Sequence, residues 1–265
     1  MRTIGLAIDT FMHATAWPME RPAAYGLFHL SFTFIGLALV IFLAWRLRNL
    51  KSKGQRALLF ACGVFLLVCE VYKQLFHYYF INDHAYAWWI FPFYLCSVPM
   101  YLCLIAPWLK AGKLQRALYT FMMLYNLLGG AMAFIEPSGI LGEYWVVTMH
   151  SCVWHMLLIF IGLFLFFSKL GGVDKESFGL STKTFLVLCV IAFCSNVALR
   201  DVSGGLVNNF FVGPSVSSLA VFKQIGEHFG WYVGTALYIP AVILGAFLIC
   251  LGLRLLARRT EKVKV

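Results

Sequence analysis

The stretch WVVTMHSCVWHMLLIFIGLFLFF, Trp145–Phe167, decides the fold. It contains no Asp, Glu, Lys or Arg, and about 20 mostly apolar residues suffice for an α-helix to cross a bilayer's hydrocarbon core. Its apolar residues run continuously instead of alternating, which excludes a strand of an outer-membrane barrel. The only groups in it that titrate near neutral pH are His150 and His155. Side chains of that kind are costly at membrane depth and point to function by default.

The rest of the 265-residue chain has the same character. It is 62% hydrophobic, 17% aromatic and 12% charged, where soluble domains are about half apolar and a quarter charged. A disordered chain, a secreted disulfide scaffold and an ordinary cytosolic enzyme are all excluded. The composition predicts an all-α polytopic membrane protein, a single bundle of seven transmembrane helices near 24–44, 57–80, 91–109, 117–134, 145–167, 184–199 and 231–256. The sixth is the shortest and is interrupted by Cys194, Ser195 and Asn196. Residues 1–23 carry Asp9, Glu20 and Arg21 and do not read as a cleaved signal peptide.

The formal charge of +10 is a topology signal in so apolar a chain. Sixteen of the 21 Lys and Arg residues fall in three connections and the tail. They are Arg46–Arg56, Lys110–Arg116, Lys169–Lys183, and Arg254 to Lys264. The positive-inside rule therefore expects the N-terminus outside and the C-terminus in the cytoplasm. These clusters beside membrane spans do not make a nucleic-acid site. The eight cysteines all lie in expected spans, so neither a disulfide framework nor a structural zinc spacing is seen.

The polar groups within spans are few. Glu70, Lys73 and His77 are spaced three and four apart and form one stripe on the second helix. His29 lies in the first span, Cys96-Ser97 in the third, Asn126 in the fourth, His150 and His155 in the fifth, and Asn196 in the sixth. At about 1.5 Å per residue, those from five spans reach the same outer half of the bilayer, roughly 5–15 Å deep. A shared cavity opening outward is expected. Pro92 near the start of the third span is tolerable, whereas Pro99 is expected to kink it. Trp88, Trp89 and Trp145 read as interfacial belt residues. Gly129, Gly130, Gly162 and Gly245 read as close-packing positions. The longest outer connection, about 200–230, is a lid, a re-entrant segment or a plain loop.

The segment FPFYLCSVPMYLCLIAPW, Phe91–Trp108, resembles the Leu-Pro-Leu-x-Leu-Cys-Ser signature of the YwaF-type bacterial integral membrane family. His29, Glu70, Glu136-Pro137, the run MHSCVWHMLLIF and the segment NNFFVGPS follow the family's pattern in order. The family is similar to eukaryotic transmembrane acyltransferases that remodel phospholipids through a Cys and a His. The resemblance implies Cys96 as nucleophile and His155 as its base, with His150 a weaker candidate, in a bacterial cytoplasmic membrane. The chain departs from the pattern at Tyr94, where another His is common, and at Pro99.

Four readings are weighed, the last of them a bis-His haem protein with paired axial histidines on facing helices. The first is acyl transfer or hydrolysis through a thioester on Cys96. In it Glu70 or Asn196 orients the imidazole, and Asn196, Asn209 or backbone amides near Pro99 stabilise the oxyanion. The second is a transporter or ligand-binding protein using Glu70, Lys73 and the histidines. The third is a zinc-dependent membrane hydrolase, for which His29, His77 and His150 lie at compatible depths. The primary expectation involves no metal ligands and no cofactor. The expected partners are membrane lipids, with a phospholipid as substrate, and no nucleic acid.

Overall fold

The computed structural model describes residues 2–262; Met1 and residues 263–265, including Lys264 of the basic tail, lie outside the described residues. In chain order the α-helices are α1 (Arg2–Ala14), α2 (Leu27–Leu47), α3 (Ser52–Phe76), α4 (Val98–Ile105) and α5 (Lys113–Phe121). They continue as α6 (Leu127–Ile135), α7 (Trp145–Phe167), α8 (Lys175–Ala198), α9 (Ala220–Phe229) and α10 (Trp231–Lys262). Among the described residues there is no strand beyond an isolated bridge between Pro18 and Tyr144.

Six helical stretches are long and apolar enough to cross a membrane: 27–47, 52–81, 113–135, 145–167, 175–198 and 231–259. Two of them contain a π-helical turn. One, His77–Ile81, prolongs α3, and the other, Met122–Asn126, joins α5 to α6.

The expected third span is not one helix. The chain makes a 3-10 turn at Trp88–Ile90, runs irregularly to Ser97, forms α4, and closes with a 3-10 turn at Ala106–Trp108. Its three prolines are the physical reason, since each lacks an N–H for a helical ladder. Pro99 stands in the first turn of α4, where that N–H would have had no partner. It opens a helix and does not kink one, contrary to expectation.

Helix α8 begins well before the expected Thr184. Ser177, Ser181 and Thr182 hid this start by lowering its hydropathy, yet they face α5. Arg116 Nε donates to Ser177 Oγ at 2.8 Å, and Tyr125 Oη donates to Thr182 Oγ1 at 2.8 Å. Lys183 therefore lies on a helix, exposed, and not in a loop.

The core surrounds α7. Leu158, Ile161, Phe164 and Leu165 are completely buried there, together with Phe121 and Tyr125 of the α5–α6 stretch. Helices α6 and α7 approach closely. A Cβ at Gly130 would lie 3.0 Å from the His155 carbonyl oxygen, and one at Gly162 would lie 3.0 Å from Leu127 Cβ. Gly245 is similarly hemmed in by Leu128, whereas Gly129 has open space and is not a packing position.

The two ends of the bundle differ. Arg116 pairs with Asp174, and Lys113 with Glu176, tying the starts of α5 and α8 together at one end. At the other, Met19 N–H donates to Glu143 O and Trp145 N–H to Trp17 O. The end of α3 and the start of α7 also meet there, and that is where the polar groups collect.

Candidate active site

Glu70 is almost completely buried on α3. A buried carboxylate needs partners, and it has two from its own helix. Lys73 Nζ donates to Oε2 at 2.8 Å and Gln74 Nε2 to Oε1 at 2.7 Å. Gln74 Nε2 also donates to Ile90 O at 2.8 Å, so the cluster anchors the chain entering the irregular segment. One turn further on, His77 is buried with the Trp89 ring edge-on at 5.4 Å. Trp89, read as a belt residue, thus has a specific neighbour.

The irregular segment is fastened at several points. Tyr94 Oη donates to Trp89 O and Tyr101 Oη to Pro92 O, both at 2.8 Å. Trp154 Nε1 donates to the Cys96 carbonyl at 3.0 Å. Ser97 N–H and Val98 N–H both donate to Tyr94 O. The N–H groups of Leu95 and Cys96 donate to no backbone carbonyl among the described residues. Cys96 thus sits just before the N-terminus of α4, where the helix dipole favours negative charge.

On α7, His155 Nδ1 lies 2.7 Å from Ser151 O. A carbonyl oxygen only accepts, so Nδ1 carries the hydrogen and Nε2 of the neutral ring keeps its lone pair. His150, one turn nearer the helix start, stacks on Trp154 with ring centroids 5.4 Å apart. Its Nε2 is buried without a hydrogen-bond partner, as are His77 Nδ1 and Gln74 Oε1.

A cavity of about 350 Å³ gathers these groups. Glu70, Lys73 and His77 of α3, Cys96, and His150 and His155 of α7 all line it. Of the nine residues singled out from sequence, six share this space. No hydrogen bond joins Cys96 Sγ to an imidazole among the described residues. Cys96 and the two histidines thus line one chamber, unconnected by a direct hydrogen bond.

Three expected residues lie elsewhere. His29 is buried where its ring stacks over Phe134, with Nδ1 accepting from Tyr25 N–H at 3.2 Å. The His29–His77–His150 set therefore does not assemble. Among the described residues no group of three or more His, Cys, Asp or Glu side chains converges as a metal cage.

Asn196 spends its amide on the outer loop. Nδ2 donates to Asn209 O at 3.1 Å and to Gly213 O at 2.7 Å, and Oδ1 accepts from Asn209 N–H at 2.7 Å. Asn209 Nδ2 in turn donates to Ser195 Oγ. Both asparagines brace the loop and neither lines the cavity. The loop that they brace does reach it. Phe211 and Ser218 form part of its wall, with Phe211 against the Tyr94 ring at 5.4 Å.

Residues 24–252 match the sequence model of the TMEM164 family. The chain belongs to the TMEM164 family. No curated protein and no solved structure matches it.

In this TMEM164-family chain, several cavity residues escape a reading by titratable groups alone. Gln74, which braces Glu70 without lining the cavity itself, was detectable as the fourth residue after it, since that spacing places both on the same helix face. Trp154 was detectable only as the neighbour of His155, and its hydrogen bond to Cys96 crosses 58 positions of sequence. Tyr94, Ser97 and Phe211 are marked only by the family resemblance and the Cys96-Ser97 step; residue type alone does not separate them from the many aromatic and small residues around them.

Proposed function

We propose that this TMEM164-family protein is an integral membrane enzyme that acts on phospholipid acyl chains through Cys96 and His155. One observation carries the reading. Cys96 of a Cys-Ser step and a histidine whose Nε2 keeps its lone pair line the same cavity beside the Glu70–Lys73 pair.

The chemistry follows from these positions. His155 Nε2 takes the thiol proton, and the thiolate attacks the ester carbonyl. The negative charge passes to the carbonyl oxygen, for which the N–H groups of Leu95 and Cys96, neither donating to a backbone carbonyl, are the nearest donors by sequence. Collapse breaks the ester C–O bond and leaves a thioester on Cys96. The departing lysophospholipid oxygen takes the proton from the imidazolium. An acceptor hydroxyl, or water, is then deprotonated by Nε2 and attacks the thioester. This yields a new ester or a free acid and returns the thiol. His150, stacked on Trp154, is the alternate base.

The same proposal includes topology. Helix α4 and its turn to Trp108 span about 16 Å at 1.5 Å per residue, which is too short to cross alone. The irregular stretch before them extends the path, and non-helical backbone is tolerated at membrane depth where it is packed in protein. Together they return the chain between the ends of α3 and α5. That gives seven crossings, an outer N-terminus, a cytoplasmic C-terminus and a cavity toward the outer face of a bacterial inner membrane. The segregation of Lys and Arg supports this orientation.

The test is thioester trapping in proteoliposomes with a phospholipid bearing an alkynyl acyl chain. Hydroxylamine-sensitive label on the wild type and none on Cys96→Ala is the expected result. Full label on Cys96→Ala overturns the proposal. Absence of label together with pH-dependent solute uptake lost in Glu70→Gln supports a transporter instead.

A further inference from the structure

The site above leaves the apolar face of α1 unused. Ile4, Leu6 and Phe11 are exposed on that helix, and Val68 and Val71 are exposed on the α3 surface beside it. Between the two helices runs a groove of about 620 Å³, walled by Ile4, Ala7 and Phe11 on one side and Val68, Val71 and Leu75 on the other. Apart from Thr3 and the Tyr72 hydroxyl, its walls are carbon and sulfur side chains.

Tyr72 belongs to two spaces, lining both this groove and the cavity that holds Cys96. Its hydroxyl meets Thr15 Oγ1 at 2.5 Å, immediately after α1. Its ring stacks on Phe76 at 5.9 Å and receives the edge of Phe11 at 6.4 Å. A pinned aromatic ring is thus the shared wall between an apolar groove and a polar chamber.

We propose that the groove between α1 and α3 seats an acyl chain of a bilayer phospholipid, with Tyr72 at the point where that chain passes toward Cys96. The use made of the chain rests on the acyl-transfer reading, whereas its seating rests on the groove itself. The arrangement fits an amphiphile. A carbon-walled groove accepts the tail, and a chamber with Lys73, His77 and His150 accepts the polar end. A docked apolar helix would cover the groove but leave that polar chamber without a partner.

The experiment uses the full chain in phosphatidylcholine nanodiscs containing a trace of phosphatidylcholine with a diazirine at the end of one acyl chain. After irradiation, adducts are mapped by mass spectrometry in the wild type and in Cys96→Ala. Adducts concentrated in residues 3–12 and 68–75, several-fold above the lipid-facing surface of α8, are expected in both proteins. Ala7→Trp and Val71→Trp, each at an exposed position, should each remove most of that excess. Val187→Trp on α8 should not change it. Even labelling of all lipid-facing helices, or an excess that survives both groove substitutions, overturns the inference. Because seating is read in Cys96→Ala as well, an empty groove with an active Cys96 and an occupied groove with an inert Cys96 are distinct results.

Discussion

The indole N–H of Trp154 on α7 donates to the carbonyl of Cys96 at 3.0 Å. This bond ties the irregular segment bearing the thiol to the helix bearing both histidines, so the proposed nucleophile and base share one reference frame. The same indole ring supports His150 from below. Trp154→Phe keeps the stacking surface and removes the donor. A lost hydrogen bond of about 1 kcal/mol corresponds to roughly a five-fold slower turnover. The loss should appear in kcat more than in KM, measured with an alkynyl phospholipid, because the bond positions Cys96 and is not itself a contact to the phospholipid headgroup.

His155 and His150 are separable by the same assay. His155→Ala removes the imidazole whose tautomer is set by Ser151 O, and a rate loss of about 10²–10⁴ is expected for a general base. His150→Ala should cost much less. Ser151→Ala should be close to silent, because the interaction uses the backbone carbonyl and not the hydroxyl.

Glu70 and Lys73 form a pair whose members are unequally buried, with side-chain exposures of 5% and 23%. Removing one partner of a buried pair typically costs about 3–5 kcal/mol, and Lys73→Met should approach that because it strands Glu70. Glu70→Leu combined with Lys73→Met should recover most of the loss in thermal unfolding of the detergent-solubilised protein. If the double variant is folded but inactive, the pair serves the substrate and not only the helix.

At the opposite end, Asp174 caps α8. Burial works against its charge, but the Ser177 N–H and hydroxyl and the Arg116 guanidinium hold its carboxyl below the usual range. A folded-state pKa below the unfolded one stabilises the fold above about 3.9, the unfolded value, and loses that contribution as pH falls through the folded one. The group is about half exposed, so the electrostatic part is screened and small. Asp174→Ala should cost about 1 kcal/mol at neutral pH through the lost cap. The difference in melting temperature between variant and wild type should shrink as the pH is lowered past that carboxyl's titration.

The readable parts of this fold were those in which hydropathy and backbone agree. Helix α7 runs from Trp145 to Phe167, the bounds of its apolar stretch. The Glu70–Lys73–His77 stripe lines one cavity because a helical spacing of three and four admits no other face. Segment 91–109 is just as apolar, but its prolines act on the backbone, which a hydropathy average does not register. The start of α8 was hidden for the converse reason, since its serines and Thr182 are polar yet packed against α5. Asn196 shows a limit of the rule that polar groups at membrane depth are functional. Its amide closes a loop across 13 and 17 positions, and nothing local in the sequence announces those partners.

The π-helical turn at Met122–Asn126 sets the angular phase of everything after it. Each residue advances a helix by about 100°, so a single surplus residue in that turn decides which side of α6 is presented to α7. Gly130 lies against the His155 carbonyl only in the present phase. Drawing Met122–Asn126 into a regular α-helix with the same number of residues would rotate α6 by about 100° and swing that glycine away from the His155 backbone. The face that α6 presents to the histidine helix is therefore set from a buried turn, where length matters more than the identity of any side chain.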